Sequence, residues 1–437
     1  LTQTDFERVL KIVSAQGGLV ASVDRISPTG YPYQVFGASL GDLGAGTTNV
    51  RGFVSNTRSL DVGGSGGGLD SELARGIATV EAIERHANCA VPIGLRWATA
   101  NELDGHVLDM ATLPTCTPNE MASVFCPVRS YESDSTIRWA KAWSFTKGVS
   151  TWVPAVLVWL NVPPLTPDEC FTLPISTGAA AHSTLEAAVL NGILEVVERD
   201  AISLVWLQRL TLPEIDLEGQ DREIERSLNK ARERGRMLHF FDATTNLGIP
   251  TVYCVEVNER SKSLRTVVMC DANLNPRTSI LKIFRELAAS QLGLSGNQTP
   301  PQKPDEFTTV YDGALYMGHE SKAHVFDFLL SETRDVEKVR LNDLPVYEFP
   351  SAIEKLRFVL SRLAQAEMEV VVADITTREA KAAGIHVVKA IVPQLMPLSF
   401  VHSARFLAHE RLYDAPDRMG FGKRPYEEIN PYPQPFA

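Results

Sequence analysis

The chain has 437 residues, 44% of them hydrophobic and 22% charged, with a formal net charge of −11. That is ample material for a large buried core, and the acidic balance excludes a broad basic face for nucleic acid phosphates or anionic lipid. Six widely spaced cysteines (Cys89, Cys116, Cys126, Cys170, Cys254, Cys270) form no Cys-x-x-Cys pair, which excludes a zinc knuckle and a disulfide framework and predicts buried thiols in a reducing cytosol.

In chain order, the first sixty residues read as short strands and turns, with a turn from Arg25 through Gly30 ahead of an alternating stretch to Phe36. Gly63-Gly-Ser65-Gly-Gly-Gly68 reads as a permissive loop, and Asp70 as the N-cap of a helix to about Asn88 with Leu73, Ile77 and Val80 on its apolar stripe. Trp152 to Val162 is a β-rich apolar run, interrupted by Pro154 and far too short to span a bilayer. With no signal pattern at Leu1, it predicts a soluble, cytoplasmic protein. A second small-residue loop, Ser176 to Ser183, precedes an apolar helix from Thr184 to about Leu207. Downstream, a helix from Asp221 to Arg234, strands at Met237–Asp242, Pro250–Val257 and Thr266–Asp271, and a helix from Arg277 to Leu292 alternate. Another helix, Ser351 to Gln365, leads to strands at Glu369–Ile375 and Ile385–Val392. The fold class is α/β. Residues 1–62 are expected to be a strand-rich segment packed on a main unit, 63–437, whose alternating prolines from Asn430 onward make an extended tail.

One pattern occurs twice, Glu81-x-x-Glu84-Arg85 and Glu195-x-x-Glu198-Arg199, each on a helix that follows a small-residue segment. Spacing of i, i+3 and i+4 puts two carboxylates and a guanidinium on one helix face. The second helix is apolar nearly all round, which predicts burial. Burying ionised carboxylates costs several kcal/mol each unless something compensates them, and four together also repel. Mg²⁺ answers both problems, because it joins a few carboxylates to phosphate oxygens, while arginine forks hold the same phosphates. The Gly63–Gly68 segment, placed before a helix N-terminus, is expected to offer backbone N–H groups to an anion. No Walker-type or dinucleotide signature competes.

The run Ser176-x-Gly178-x-Ala180-x-x-x-Thr184-Leu-Glu186, continuing into Gly192-Ile-Leu-Glu195-Val-Val-Glu198-Arg199-Asp-Ala201, resembles the central signature of YcaO proteins. Gly63 to Arg85 resembles that family's glycine loop and first acidic helix. Asp374-Ile-Thr with Val387-Val-Lys-Ala-Ile-Val-Pro393 is similar to its late strand pair, and Arg411-Leu-Tyr-Asp-Ala-Pro416 to its C-terminal region. Asn430-Pro-Tyr-Pro-Gln-Pro435-Phe-Ala437 resembles the proline-rich tail of the azoline-forming branch, in which the chain end reaches the active site.

The resemblance implies a large single fold with mixed sheets, in which acidic helices surround a site for ATP and Mg²⁺. It implies that Glu81, Glu84, Glu195 and Glu198 hold metal, that Ser65, Arg85, His182, Ser183, Arg199 and Lys389 serve the nucleotide, and that Pro435 and the Ala437 carboxylate lie at the catalytic end. The implied substrate is a ribosomally made precursor peptide, whose Cys, Ser or Thr side chains close onto the preceding amide. A separate peptide-recognition partner, E1-like or leader-binding, is implied; a homodimer is left open, and neither nucleic acid nor membrane is a partner. Sulfide or an amine in place of the side chain gives the alternative products, a thioamide or an amidine.

Several positions depart from the family pattern. Gly67 stands where many members have lysine, while Ala180, Ser183 and Ala187 replace a small polar residue, an asparagine and a second glutamate. Lys389 replaces an arginine, and the tail ends Pro435-Phe-Ala437 rather than in proline. These losses define a further alternative, a non-catalytic scaffold of a modification complex. His86 and His182 read as local hydrogen-bonding residues at least as readily as site residues, His402 and His409 as structural residues of a late helix, Glu286 and Gln291 as ordinary helix residues, and Cys89 as a buried thiol.

Overall fold

The computed structural model describes residues 2–26, 33–41, 63–295, 299–331 and 338–436. The chain opens on a helix, α1 (Gln3–Val9), where strands were expected: Thr2 and Asp5 form a capping box, which ties off the first-turn N–H groups of an otherwise short helix. The expected turn from Arg25 to Gly30 lies largely outside the described residues. Strands β1 (Ser22–Ile26), β2 (Gln34–Ser39) and β3 (Gly63–Gly68) then form an antiparallel sheet in that order.

The Gly63–Gly68 segment is therefore an edge strand and not a loop. Six residues with almost no side chains have little strand preference, and tertiary contact overrides this. Helix α2 (Ser71–Cys89) lies directly on the strand's backbone: a Cβ on Gly66 would stand 2.1 Å from the Ala74 carbonyl oxygen, and one on Gly64 2.3 Å from that of Ala78. Only glycine permits so close an approach. Gly66→Ala is accordingly expected to destabilise the protein by about 3 kcal/mol, the upper end of overpacking costs, read as a lower urea midpoint at unchanged slope.

Among the described residues, β4 (Arg96–Ala98), β5 (His106–Val107), β6 (Ile137–Ser144), β7 (Val149–Pro154), β8 (Ala179–His182), β14 (Val371–Asp374) and β15 (His386–Ile391) form a seven-stranded sheet in the order β5-β7-β6-β14-β15-β8, with β4 on β6. The apolar run at 152–162 ends as strand at Pro154, and Ala155–Val158 make a single helical turn. The second small-residue segment is again a strand and not a loop: β8, paired to β15 through Ala179 to His182. Two elements complete the core after helix α3 (Leu185–Gln208): a pair of two-residue strands, β9 (Ile215–Asp216) with β13 (Val339–Arg340), and the antiparallel sheet β10 (Arg236–Asp242), β11 (Thr251–Asn258), β12 (Thr266–Ala272). Helices α4 (Arg222–Glu233), α5 (Pro276–Leu294), α6 (Val310–Gly318), α7 (Ala352–Gln365) and α8 (Arg411–Arg418) cover the outside. His402 and His409 precede α8 and lie on no helix, contrary to expectation. No helix among the described residues is long and apolar enough to cross a membrane.

The small side chains of β8 set the relation between the two acidic helices. Ala181 belongs to the apolar cluster that contains Val80, Ile83 and Ala87 of α2, and Ala180 to the cluster that contains Ala188, Leu190 and Ile193 of α3. The helices thus pack on opposite faces of one strand, and that strand is the sheet's edge. Beyond that edge nothing of the sheet separates them. Helix α3 is buried on nearly every side because other elements cover its far face, including α7, β12 and the C-terminal segment.

Candidate functional site

Both glutamate helices are aimed by the strand that precedes them. Glu81 Oε2 accepts from the Ser65 backbone N–H at 2.9 Å, and Glu195 Oε2 accepts from the Gly178 N–H at 3.0 Å. The Ala181 N–H is given to Glu84. The strand edges thus donate to carboxylates of this chain, which is where the expected anion-binding N–H groups go.

Each arginine sits one turn beyond its first glutamate: Arg85 is 3.8 Å from Glu81, and Arg199 is 3.3 Å from Glu195 and 3.5 Å from Glu198. Glu81 is ringed by protein yet keeps 36% of its side chain accessible, and Glu195 keeps 26%. Such groups line a cleft and do not face the outer surface. Glu198 is 5% accessible.

The charges of the two helices act on one another. Burial, then repulsion from Glu195, pushes the Glu84 carboxyl up to about 8, with Glu81 adding to it. Burial also raises Glu198 to about 8, with the negative charges of Asp271 and Glu286 contributing. Lys389, 2% exposed on β15, is lowered to about 8 by burial despite the attraction of Glu195 and Glu84, and its ammonium donates to the Ile175 carbonyl. Glu81, Glu84, Glu195, Glu198, Arg85, Arg199 and Lys389 therefore share one charged region. His182 and Ser183 lie at the far end of β8, beside α1, where the Ser183 hydroxyl hydrogen bonds to Asp5 and the Asp5 carboxylate attracts His182.

A pH dependence follows. A carboxyl whose folded pKa exceeds its unfolded value stabilises the fold while protonated, and that contribution is lost as pH rises through the folded pKa. The buried histidines, whose pKa values are depressed, act below about pH 6.5. Between pH 6.5 and 8 the nucleotide-free protein is expected to lose thermal stability as Glu84 and Glu198 ionise, and Glu198→Gln is expected to flatten that slope in scanning calorimetry.

Three charged residues read as ordinary, or passed over, in the sequence complete the region. Asp271 at the end of β12 accepts from Lys282 of α5 at 2.6 Å, and Glu286, one turn along α5, lies 3.5 Å from the same ammonium. Glu286 acts on Arg199 and Glu81 as well. The i, i+4 spacing of Lys282 and Glu286 was the available signal. Gln291, by contrast, is buried against Glu256 at 2.6 Å, consistent with a structural role.

The tail arrives along α3. Asn430 Nδ2 donates to the Trp206 carbonyl, Trp206 Nε1 donates to the Tyr432 carbonyl, and Gly313 of α6 leaves room for the Gln434 backbone. Pro435 leads into Phe436, which makes a bridge to Val268 of β12 and places its ring 4.4 Å from the Arg199 guanidinium. Ala437 lies outside the described residues.

The donor set suits a magnesium-bound triphosphate. Among the described residues no three His, Cys, Asp or Glu lie close enough to hold a metal ion by themselves. Mg²⁺ typically takes one or two carboxylates and completes its shell with phosphate and water, so spaced glutamates fit it. Asp271 Oδ2 is buried without a hydrogen-bond partner, and Arg199 Nη1 has only its 3.5 Å ion-pair contact with Glu198, so both retain hydrogen-bonding capacity.

The family described as YcaO cyclodehydratase, ATP- and Mg²⁺-binding, matches residues 65–396. An uncharacterized protein of Methanothermobacter thermautotrophicus is 27% identical over 76% of this chain and 81% of its own length. A heterocyclase solved in complex with substrate and cofactor superposes with a TM-score of 0.80 at 26% identity, covering 99% of this chain and 57% of that one. This chain therefore spans little more than half of that heterocyclase. YcaO from Methanopyrus kandleri, solved with AMPPCP and Mg²⁺, has the same fold (TM-score 0.62, 21% identity, 89% of this chain and 88% of that one). Paired acidic helices, the strand edges that aim them and a family match over residues 65–396 lead to one assignment: the chain is a member of the YcaO family.

Proposed function

We propose that this chain uses ATP and Mg²⁺ to convert Cys, Ser or Thr residues of a ribosomally made precursor peptide into azolines, working with a separate peptide-recognition partner. The observation that carries the reading is the charged region in which Glu195 and Glu81 press on Glu84, Asp271 and Glu286 press on Glu198, and Arg199 lies between Glu195 and Glu198 beneath the tail's Phe436. The family's description and the substrate-bound heterocyclase support it.

When bound, ATP supplies the phosphoryl group that turns an amide oxygen into a leaving group, and Mg²⁺ offsets the triphosphate charge. The four glutamates are the residues proposed to hold the metal, with the Ser65 and Gly178 N–H groups keeping Glu81 and Glu195 in place. Arg199 and Arg85 are proposed to take phosphate oxygens as planar forks, and Lys389 to stabilise the negative charge near Glu84 and Glu195. The Phe436 ring lies over the Arg199 guanidinium, and Ala437 is the proposed acceptor of the nucleophile's proton.

Mass spectrometry of a Cys- and Ser-containing precursor peptide incubated with the chain, its partner, ATP and Mg²⁺ tests this. Loss of one water per modified residue is the expected result. Exchange of oxygen for sulfur identifies the thioamide alternative, and an unchanged peptide in the presence of bound ATP overturns the enzymatic reading in favour of a scaffold.

A further inference from the structure

The charged region has an inner half that the Glu-x-x-Glu-Arg repeats account for only in part. It consists of Glu198 and Arg199 of α3, Asp271 of β12, and Lys282 and Glu286 of α5. Three carboxylates here face two cations. Asp271 is 2% accessible and Glu198 5%, so neither is neutralised by bulk water. Lys282 keeps 41% of its side chain accessible while enclosed by protein, so it faces the cleft. Burial works against its charge, yet Asp271, Glu286 and Glu198 together hold it well above the ordinary lysine range.

The approach of α5 explains why the ammonium is there. Gly67 of β3 abuts Arg285: a Cβ at this position would stand 3.1 Å from the Arg285 carbonyl oxygen and 3.3 Å from its Cβ. That contact lets α5 lie close to the cleft and carry Lys282 and Glu286 into it. Arg199 has rival partners in Glu195, Glu198 and Glu286. Without Lys282, Arg199 would be the remaining cation of this half among the described residues, and it would be drawn onto Asp271 and Glu286.

We propose that Lys282 is the built-in counter-ion of this half, a tethered ammonium that gathers Asp271 and Glu286 beside Glu198 and so leaves Arg199 to the two glutamates of its own helix. It is a positioning residue: it occupies by covalent attachment the place that a free cation would otherwise fill. Asp271 Oδ2 is buried without a hydrogen-bond partner in this arrangement, while Arg199 Nη1 faces Glu198 at 3.5 Å. The consequence for phosphate rests on the proposed nucleotide function, whereas the counter-ion role does not.

The test is Mn²⁺ titration of the nucleotide-free full chain, followed by the electron paramagnetic resonance signal of free Mn²⁺. Lys282→Met is expected to bind one Mn²⁺ per chain more than the parent protein, because the exposed carboxylates recruit a cation. Lys282→Arg is expected to show no gain, and adding Asp271→Asn to Lys282→Met to abolish it. If Lys282→Met does not fold, Lys282→Gln, which keeps a donor without the charge, is read in the same way. Equal Mn²⁺ stoichiometry in the parent and in the folded neutral variant overturns the proposal. In calorimetry with ATP and Mg²⁺, the neutral variant is expected to bind ATP about 10- to 100-fold more weakly and Lys282→Arg to recover most of the loss. A Mn²⁺ gain in a chain whose parent form binds no ATP upholds the counter-ion role while refuting the nucleotide function.

Discussion

Replacing Arg199 with methionine is expected to weaken binding of ATP and Mg²⁺ by about 100-fold, roughly 2.8 kcal/mol at 1.4 kcal/mol per decade. The guanidinium touches both glutamates of its helix, stacks under the tail's last described ring and has a buried Nη1 that makes no hydrogen bond. The variant should still fold. Glu198 loses its partner, but burial already holds its carboxyl near 8, so at neutral pH it takes up a proton instead of standing as an uncompensated charge. Arg199→Lys keeps the charge but loses the planar fork and its face against Phe436, and about a 10-fold loss is expected. Calorimetric titration measures all three proteins; unchanged affinity in the methionine variant would remove Arg199 from the site.

The largest effect on stability is expected at the next residue. Asp200 is fully buried and Arg411 nearly so, and their bidentate contact, 2.6 Å from Nε and 2.5 Å from Nη2, joins α3 to α8. Asp200 Oδ1 also accepts from the Met396 N–H at 2.9 Å. Asp200→Ala leaves a buried guanidinium and an N–H without their partner, and a cost of about 3–5 kcal/mol in urea unfolding is expected. A double variant, Asp200→Leu with Arg411→Met, should recover a substantial part, because apolar pairs often replace buried ion pairs at little cost. No recovery would show that the pair does more than compensate two buried charges.

The acidic helices are legible in the sequence because their chemistry is local. Glu81 and Glu195 sit at fixed helical spacing from Arg85 and Arg199, and Asp70 and Thr184 announce the helix starts as N-caps. The strands β11 and β12 are legible for a similar reason, being runs rich in β-branched and apolar residues, and β10 by the apolar and aromatic residues Met237, Leu238, Phe240 and Phe241. The glycine and alanine strands are not. Nothing in Gly63–Gly68 or Ala179–His182 prefers a strand, and what selects it is the need for α2 and α3 to approach a backbone without side chains.

Asp271, Lys282 and Glu286 are hidden for a different reason. Each is an unremarkable charge on its own element, and only the packing of β12 against α3 and of α5 against β3 unites them with Glu198 and Arg199. The tail lies between these cases. Its prolines show that it is extended, whereas its course is set by contacts with Trp206, Gly313 and Val268 that no local pattern encodes.

In the proposed function, α2 and α3 hold a metal-bound triphosphate between them. A crystal structure with Mn²⁺ and a non-hydrolysable ATP analogue, with the ions located by anomalous scattering, measures this directly. The predicted result is at least one ion about 2.1 Å from a carboxylate of Glu81 or Glu84 and at least one at that distance from Glu195 or Glu198, with phosphate oxygens against Arg199. A nucleotide bound elsewhere, or ions remote from all four glutamates, would contradict it.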